Sequence, residues 1–349
     1  MTNEQPYHRL RVAEVIEETA DTRSLVFDVP PELSGQFAYK PGQFLTLRIP
    51  SEQTESVARC YSMSSSPHAG DPLRVTVKHT PEGYASAWIL DNVRPGTTLD
   101  VLPPAGAFTP KSLDRDFLFL AAGSGITPVL SILGSALAAG NGRCALVYAN
   151  RDERSVIFAD TLTALAKGQP DRFTAVHWLE SVQGLPEVAA LRALAEPYAD
   201  RDVYVCGPKP FMAAATEALR GLGVPRDRTH LERFVSLHEN PFAEQPTAEQ
   251  ETPAAADGPE ATILVTLDGE KHTVAWPAGK KLLDTLLEAG LDAPYSCREG
   301  RCSACACVKL EGEVSMINNE VLEEEDLAEG YILACQSLAE SDKVTITYE

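Results

Sequence analysis

Cys297, Cys302 and Cys305 follow one another in a C-x4-C-x2-C run, and Cys335 lies farther downstream. This spacing suits a [2Fe–2S] cluster, in which three thiolates from a tight loop and a fourth from a distant turn enclose two irons. Gly300, Ser303 and Ala304 are small, so backbone N–H groups can approach the sulfur atoms and help to set the potential. Structural zinc is the rival and would show paired C-x2-4-C knuckles. Inert buried thiols are the bland alternative. The pattern favours single-electron transfer. Cys307, Cys60 and Cys144 read as small packing residues.

Other candidate residues lie upstream. Gly123-Ser124-Gly125-Ile-Thr127-Pro128 follows an apolar strand and opens a helical stretch. Glycines there let backbone amides close on phosphate oxygens at a positive helix end. Thr127 suits an N-cap and Pro128 a first turn. Val205-Cys206-Gly207-Pro208 repeats the strand-to-helix layout, where Cys206 is either a core residue or part of a dinucleotide edge. In Arg59-Cys-Tyr61-Ser62, the arginine can pair with phosphate, the tyrosine can cover a ring and the serine can bond a ring nitrogen. A plain polar strand fits that run equally well. From Val77-Lys78-His79 the chain reaches Gly83-Tyr84-Ala85-Ser86, which reads as a phosphate turn or a capped glycine turn. After Asn150, Arg151 and Arg154 can meet a 2′-phosphate or pair with Asp152 and Glu153.

The elements that must position these residues fall into three segments. From 7 to 110, short strands split by Pro and Gly (Arg11–Ile16, Ser24–Val29, Phe44–Ile49, Arg74–Lys78, Thr98–Leu102) and one helix, Tyr84–Asp91, predict an antiparallel β-barrel. From 111 to 235, strands Asp116–Ala121, Cys144–Ala149, Phe173–Trp178 and Asp202–Cys206 alternate with helices Pro128–Ala139, Phe158–Lys167 and Pro210–Leu219. That alternation predicts an α/β domain with a parallel sheet. Residues 236–259, rich in Pro, Ala and Glu, read as a linker able to span about 25–30 Å as a flexible coil. From 260 to 349 come a hairpin (Thr262–Leu267 with Lys271–Trp276), a helix Lys281–Ala289 and the cysteine loop.

Composition narrows the function. The 349 residues carry a net charge of −20, which argues against nucleic acid and anionic membranes as partners. Residues 260–349 hold 18 acidic and 7 basic side chains, including the run from Glu323 to Asp326. One-signed charge of this kind is a solvated face or a steering field for a basic partner. The opening Met-Thr-Asn-Glu-Gln-Pro is not an apolar leader, so a cytoplasmic protein is expected. The seven histidines, at 8, 68, 79, 177, 230, 238 and 272, form no local 2-His-1-carboxylate or Rieske-type set.

These motifs in this order resemble the ferredoxin–NADP reductase superfamily, with a plant-type ferredoxin domain at the C-terminus. The chain is similar throughout to oxygenase reductases of the phenylacetate-degradation type and to those of steroid 9α-hydroxylating systems. Stretches 43–50, 59–66, 146–158, 177–186 and 292–307 carry the likeness. The resemblance implies FAD in the barrel, NADH in the parallel-sheet domain, and a [2Fe–2S] cluster in an α+β, β-grasp-like domain. Arg59, Tyr61 and Ser62 would then hold flavin. Gly83, Tyr84, Ala85 and Ser86 would form its pyrophosphate turn, and Val77, Lys78 and His79 would also contact the cofactor. Gly123, Ser124, Gly125, Thr127, Pro128, Arg151, Cys206, Gly207 and Pro208 would receive the nucleotide. Ser62 and Cys206 would flank hydride transfer, with no general acid or base required. Cys297, Cys302, Cys305 and Cys335 would be the metal ligands. A monomer serving a separate Rieske-type terminal oxygenase is implied; FMN, NADPH or another aromatic-ring or phenylacetyl-CoA oxygenase is the alternative.

Overall fold

The computed structural model describes residues 7–51, 54–81, 83–235, 237, 261–267, 269–322 and 324–348. They divide into two compact units. The first takes in the chain up to Ile49, Arg59–Pro104 and Phe108–Phe234; the second takes in Pro50–Ala58, Ala105–Ala107 and the chain from Val235.

Six strands form an antiparallel sheet: β1 (His8–Thr19), β2 (Thr22–Asp28), β3 (Phe44–Ser51), β4 (Glu55–Ser62), β5 (Arg74–Lys78) and β6 (Thr98–Ala105). Their order is β4-β3-β6-β1-β2-β5, and a bridge between Met63 and Val75 joins the two outer strands. That bridge closes the expected barrel. Leu10, Val12, Leu25, Leu45, Leu47, Val75 and Val77 are fully buried in it. β1 is twice the expected length because register shifts at Val12/Glu14 and Glu17/Thr19 bend it, so that it serves both β2 and β6. Helix α1 (Tyr84–Asn92) crosses from β5 to β6.

The parallel sheet contains β7 (Phe117–Ala122), β8 (Cys144–Asn150), β9 (Phe173–Leu179), β10 (Asp202–Cys206) and β11 (Thr229–Glu232), ordered β11-β10-β7-β8-β9. All six residues of β7 are buried, and they alternate between two cores. Phe117, Phe119 and Ala121 pack in a core with residues of α2 (Ile126–Ala139) and α3 (Ala159–Gly168). After the short α4 (Glu180–Gln183), α5 (Val188–Ala195) and α6 (Lys209–Gly221) share the other core with Leu118, Leu120 and Ala122. The strand order reverses between β7 and β10. In an open α/β sheet this is the crevice where a dinucleotide lies, outside the strands' carboxyl ends.

Helix α2 fixes the barrel to this sheet through buried hydroxyls. Ser131 Oγ donates to the Ser65 carbonyl (2.7 Å) and accepts from the Gly42 amide (3.3 Å). Ser135 Oγ meets Ser66 Oγ at 2.8 Å.

In the second unit, β12 (Ala261–Leu267) and β13 (Glu270–Trp276) form the expected hairpin, and α7 (Leu282–Glu288) follows. β14 (Ala306–Glu311) carries Cys307 toward the core, and three short strands and a helix that the pattern did not show follow: β15 (Val314–Met316), α8 (Glu324–Ala328), β16 (Tyr331–Leu333) and β17 (Ser337–Ala339). The last strand, β18 (Lys343–Thr347), runs parallel to β12 at the centre of the order β13-β12-β18-β14-β16. Leu282, Leu283 and Leu286 of α7 pack with Trp276, Ile263 and Ile346 in one core. Helix α7 thus packs on a mixed sheet, as a β-grasp requires.

Three local readings are corrected. Thr127 does not cap α2; Gly125 stands at the cap, and Thr127 Oγ1 donates to the Ser124 carbonyl inside the first turn. Cys60 is half-buried rather than buried, with Thr46 Oγ1 3.4 Å from its sulfur. Phe158 is no part of α3; it precedes the helix in a left-handed conformation (φ 61°). The linker expected over 236–259 lies outside the described residues except for the buried Leu237.

Ser131→Ala would leave the Ser65 carbonyl and the Gly42 amide without this buried partner. Unfolding stability in denaturant is expected to fall by about 2–6 kcal/mol, at about 1–3 kcal/mol for each of the two orphaned groups.

Candidate functional site

The four cysteine thiols converge in the second unit. Cys297, Cys305 and Cys335 are buried and Cys302 is half-buried. Cys297 interacts with Cys302 and Cys335, and Cys335 with Cys305. Hydrogen bonds from the Cys302 and Cys335 thiols, against the opposing effect of burial, pull the Cys297 thiol well below its ordinary range. No group of three or more His, Cys, Asp or Glu among the described residues is placed to hold a single metal ion. Pairwise contact suits two irons, each needing two thiolates, and this donor set fits a [2Fe–2S] cluster.

The loop around Cys297 is shaped so that its amides face sulfur. Arg298, Gly300 and Ser303 are all left-handed (φ 60°, 80° and 51°). A β-carbon on Gly300 would lie 2.8 Å from the Asn318 carbonyl, so only glycine fits. Three successive carbonyls are drawn away from the cysteines. Gln336 Nε2 donates to Arg298 O (2.7 Å), Asn318 Nδ2 to Glu299 O (2.7 Å), and the Glu320 amide to Gly300 O (3.1 Å). The Glu299 and Arg301 amides consequently donate to Cys297 Sγ at 3.5 and 3.3 Å. Arg298 also pairs with Asp284 of α7, anchoring the loop to the helix. Cys307 points into the core from β14, as a packing residue should.

In the first unit, strand alternation sets Arg59 and Tyr61 on one face of β4, and Cys60 and Ser62 on the other. Ser62 is buried. Burial pushes the Tyr61 phenol far up, partly offset by the Arg59 charge, so it stays protonated. Ser86 Oγ accepts from the Thr80 amide and donates to the Gly83 carbonyl, both at 3.0 Å. The hydroxyl therefore closes the turn that opens α1, where Gly83 supplies no side-chain cap. Lys78 ends β5, and its Nζ lies 4.0 Å from the β-carbon position of Gly123, bringing the flavin-turn run beside the glycine loop. The adjoining His79 amide donates to the Asp21 carbonyl (2.8 Å).

Gly123–Gly125 forms a 3-10 turn from β7 into α2. Tyr148 of β8 donates its hydroxyl to the Gly123 carbonyl (2.9 Å), and a β-carbon on Gly125 would sit 2.1 Å from the Cys206 carbonyl. The turn is thus pressed against the end of β10, next to Gly207 and Pro208. Cys206 is fully buried, and burial, aided by Glu232, raises its thiol well above the ordinary range. It is a neutral thiol. Arg151, just past β8, pairs with Asp21 of the β1–β2 turn (2.8 Å) and not with Asp152, which caps the turn at Ser155.

Glu232 was missed by sequence reasoning. It stands beside Cys206 in the register of β10 and β11, and burial lifts its carboxyl from 4.5 to about 8. The only signal was an acid within the apolar edge strand Thr-His-Leu-Glu, too short to register as an element.

Three family models match the chain: an oxidoreductase FAD-binding domain over residues 9–109, an oxidoreductase NAD-binding domain over 119–217, and a 2Fe-2S iron-sulfur cluster binding domain over 265–340. The 3-ketosteroid-9-alpha-monooxygenase, ferredoxin reductase component of Rhodococcus rhodochrous is 57% identical over 97% of this chain and 96% of its own length. The chain belongs to this reductase family. It is an electron-transferring oxidoreductase with FAD-, NAD- and [2Fe–2S]-binding domains. A component of the 1,2-phenylacetyl-CoA epoxidase of Escherichia coli (strain K12) is also similar, at 33% identity over 98% of both chains. Among solved structures, phthalate dioxygenase reductase shares the fold (TM-score 0.57, 21% identity, 99% of this chain and 98% of that one). No helix among the described residues is long and apolar enough to cross a membrane.

Two outcomes are expected. Asn318→Ala should release the Glu299 carbonyl, so that the cluster's visible absorbance is lost at lower temperature on heating. For Glu232, a raised carboxyl makes the folded state hold a proton that the unfolded chain has lost. Stability should therefore decline as pH rises from about 4.5 to about 8, by at most about 1.4 kcal/mol per pH unit. Glu232→Gln should flatten that slope in denaturant unfolding measured across the window.

Proposed function

We propose that this chain is the reductase component of a 3-ketosteroid 9α-hydroxylating system, passing electrons from NADH one at a time to a separate Rieske-type oxygenase. The observation that carries the reading is one chain joining three cofactor domains, 57% identical along 97% of its length to a 3-ketosteroid-9-alpha-monooxygenase reductase. In this reading residues 7–110 bind FAD, 111–235 bind NADH and 260–349 hold the cluster, with 236–259 as the linker. The protein acts in the cytoplasm as a monomer, and its acidic C-terminal domain steers a basic partner surface toward it.

Flavin, when bound, accepts the electron pair of a nicotinamide and releases single electrons to an iron–sulfur centre. The chain's own residues position and tune. Arg59 would pair with the flavin phosphate, Tyr61 would pack on the ring and Ser62 would hydrogen-bond near the hydride-accepting nitrogen. Gly83–Ser86 would hold the pyrophosphate, with Val77, Lys78 and His79 on the strand end leading to that turn. Gly123–Gly125, Thr127, Pro128, Arg151 and Cys206–Pro208 would receive the nucleotide, and the neutral Cys206 adds no charge beside the hydride path. Cys297, Cys302, Cys305 and Cys335 would hold the cluster.

Anaerobic titration with NADH, followed by visible absorption and low-temperature EPR, tests the reading. Flavin bleaching with a rhombic [2Fe–2S] signal is expected. In Cys305→Ala the bleaching should persist and the signal disappear; flavin that stays oxidised under excess NADH would overturn the proposal.

A further inference from the structure

Just past β8 stands the position from which an α/β dinucleotide fold reads the adenosine ribose: an acidic residue there bonds the 2′-hydroxyl, and an arginine accommodates a 2′-phosphate. Here that position is Arg151, which alone would select a 2′-phosphorylated nucleotide. Its guanidinium is already engaged, with Nη2 2.8 Å from Asp21 Oδ2. Lys78 Nζ lies 3.9 Å from the same oxygen. One carboxylate from the barrel thus meets both cations, Arg151 past β8 and Lys78 beside Gly123.

Asp21 is built to stay there. Thr19 Oγ1 and Thr22 Oγ1 donate to its Oδ1 at 2.8 and 3.1 Å, and the His79 amide holds its carbonyl. Although burial pushes its carboxyl up, the Thr19 bond, Lys78, Thr22 and Arg151 outweigh that and leave it below its ordinary value, hence ionised. Stability is a poor explanation for the pair. Arg151 is 64% exposed, and such ion pairs contribute little.

We propose that Asp21 is a specificity-determining residue that occupies Arg151 and Lys78 with a fixed carboxylate and so excludes nucleotides bearing a 2′-phosphate. The barrel thereby supplies the acid that a nucleotide domain of this kind ordinarily carries itself. An incoming 2′-phosphate would meet a carboxylate of its own sign and cations already neutralised. A nucleotide with a free 2′-hydroxyl meets no such cost. This inference rests on the placement of the nucleotide at the carboxyl edge of β7 and β8.

The test uses the full-length holoenzyme and calorimetric binding of 2′,5′-ADP and 5′-AMP, alongside NADH and NADPH titrations. Asp21→Asn keeps an oxygen for the threonine hydroxyls while removing the charge. It should tighten 2′,5′-ADP by about tenfold or more, equivalent to about 1.4 kcal/mol, and leave 5′-AMP within about twofold. The gain should shrink as salt rises and vanish in Asp21→Asn with Arg151→Ala. Unchanged 2′,5′-ADP binding in a variant that still binds 5′-AMP would overturn the Asp21 role alone. Failure of the unaltered chain to bind either nucleotide would overturn the nucleotide placement with it.

Discussion

The close approach of Gly125 to the Cys206 carbonyl governs the first unit. With a β-carbon position only 2.1 Å from that oxygen, the glycine turn after β7 and the end of β10 share one small volume. Everything at the carboxyl edge is arranged around it. Tyr148 reaches from β8 to hold the Gly123 carbonyl, α2 starts with no side chain over its first amides, and the buried serines of α2 continue the same rigid line into the barrel. At this turn the neighbouring backbone itself demands glycine, because a β-carbon on Gly125 has no room beside Cys206.

The second unit solves a different problem with the same economy. Thiolates crowded together repel one another unless N–H groups share their charge. The loop from Cys297 turns three carbonyls outward onto Gln336, Asn318 and Glu320, and accepts left-handed geometry at Arg298 and Ser303 to do so. Each such non-glycine position costs about 1–2 kcal/mol.

What could be read in the sequence follows from how local each signal is. The C-x4-C-x2-C run, the Gly123–Pro128 turn and the uninterrupted apolar strands β7 and β8 are contiguous, so spacing alone exposed them. The resemblance added the flavin motifs at Arg59 and Gly83, which residue types left undecided. Features built from distant partners stayed hidden. The Arg151–Asp21 pair joins residues 130 positions apart, where the sequence offered only a 2′-phosphate or the adjacent Asp152 and Glu153 as partners. Glu232 acquires its raised carboxyl only from burial in the folded chain. The three-residue strands β15 to β17 are too brief for alternation to show, and Thr127 has the right residue type for a cap but sits inside the first turn.

The serine seam has a consequence for inheritance. Ser131 and Ser135 bond to Ser65 and Ser66 of the barrel, while Gly134 leaves room for the Ser66 side chain at 3.2 Å. A joint keyed in this way cannot slide by a helical turn without stranding hydroxyls in a dry interior. The flavin and nucleotide folds are therefore not interchangeable cassettes: a barrel borrowed from a relative would fit only if the first helix of the nucleotide fold travelled with it, so the natural seam for recombination falls after that helix, inside the domain and not at its border.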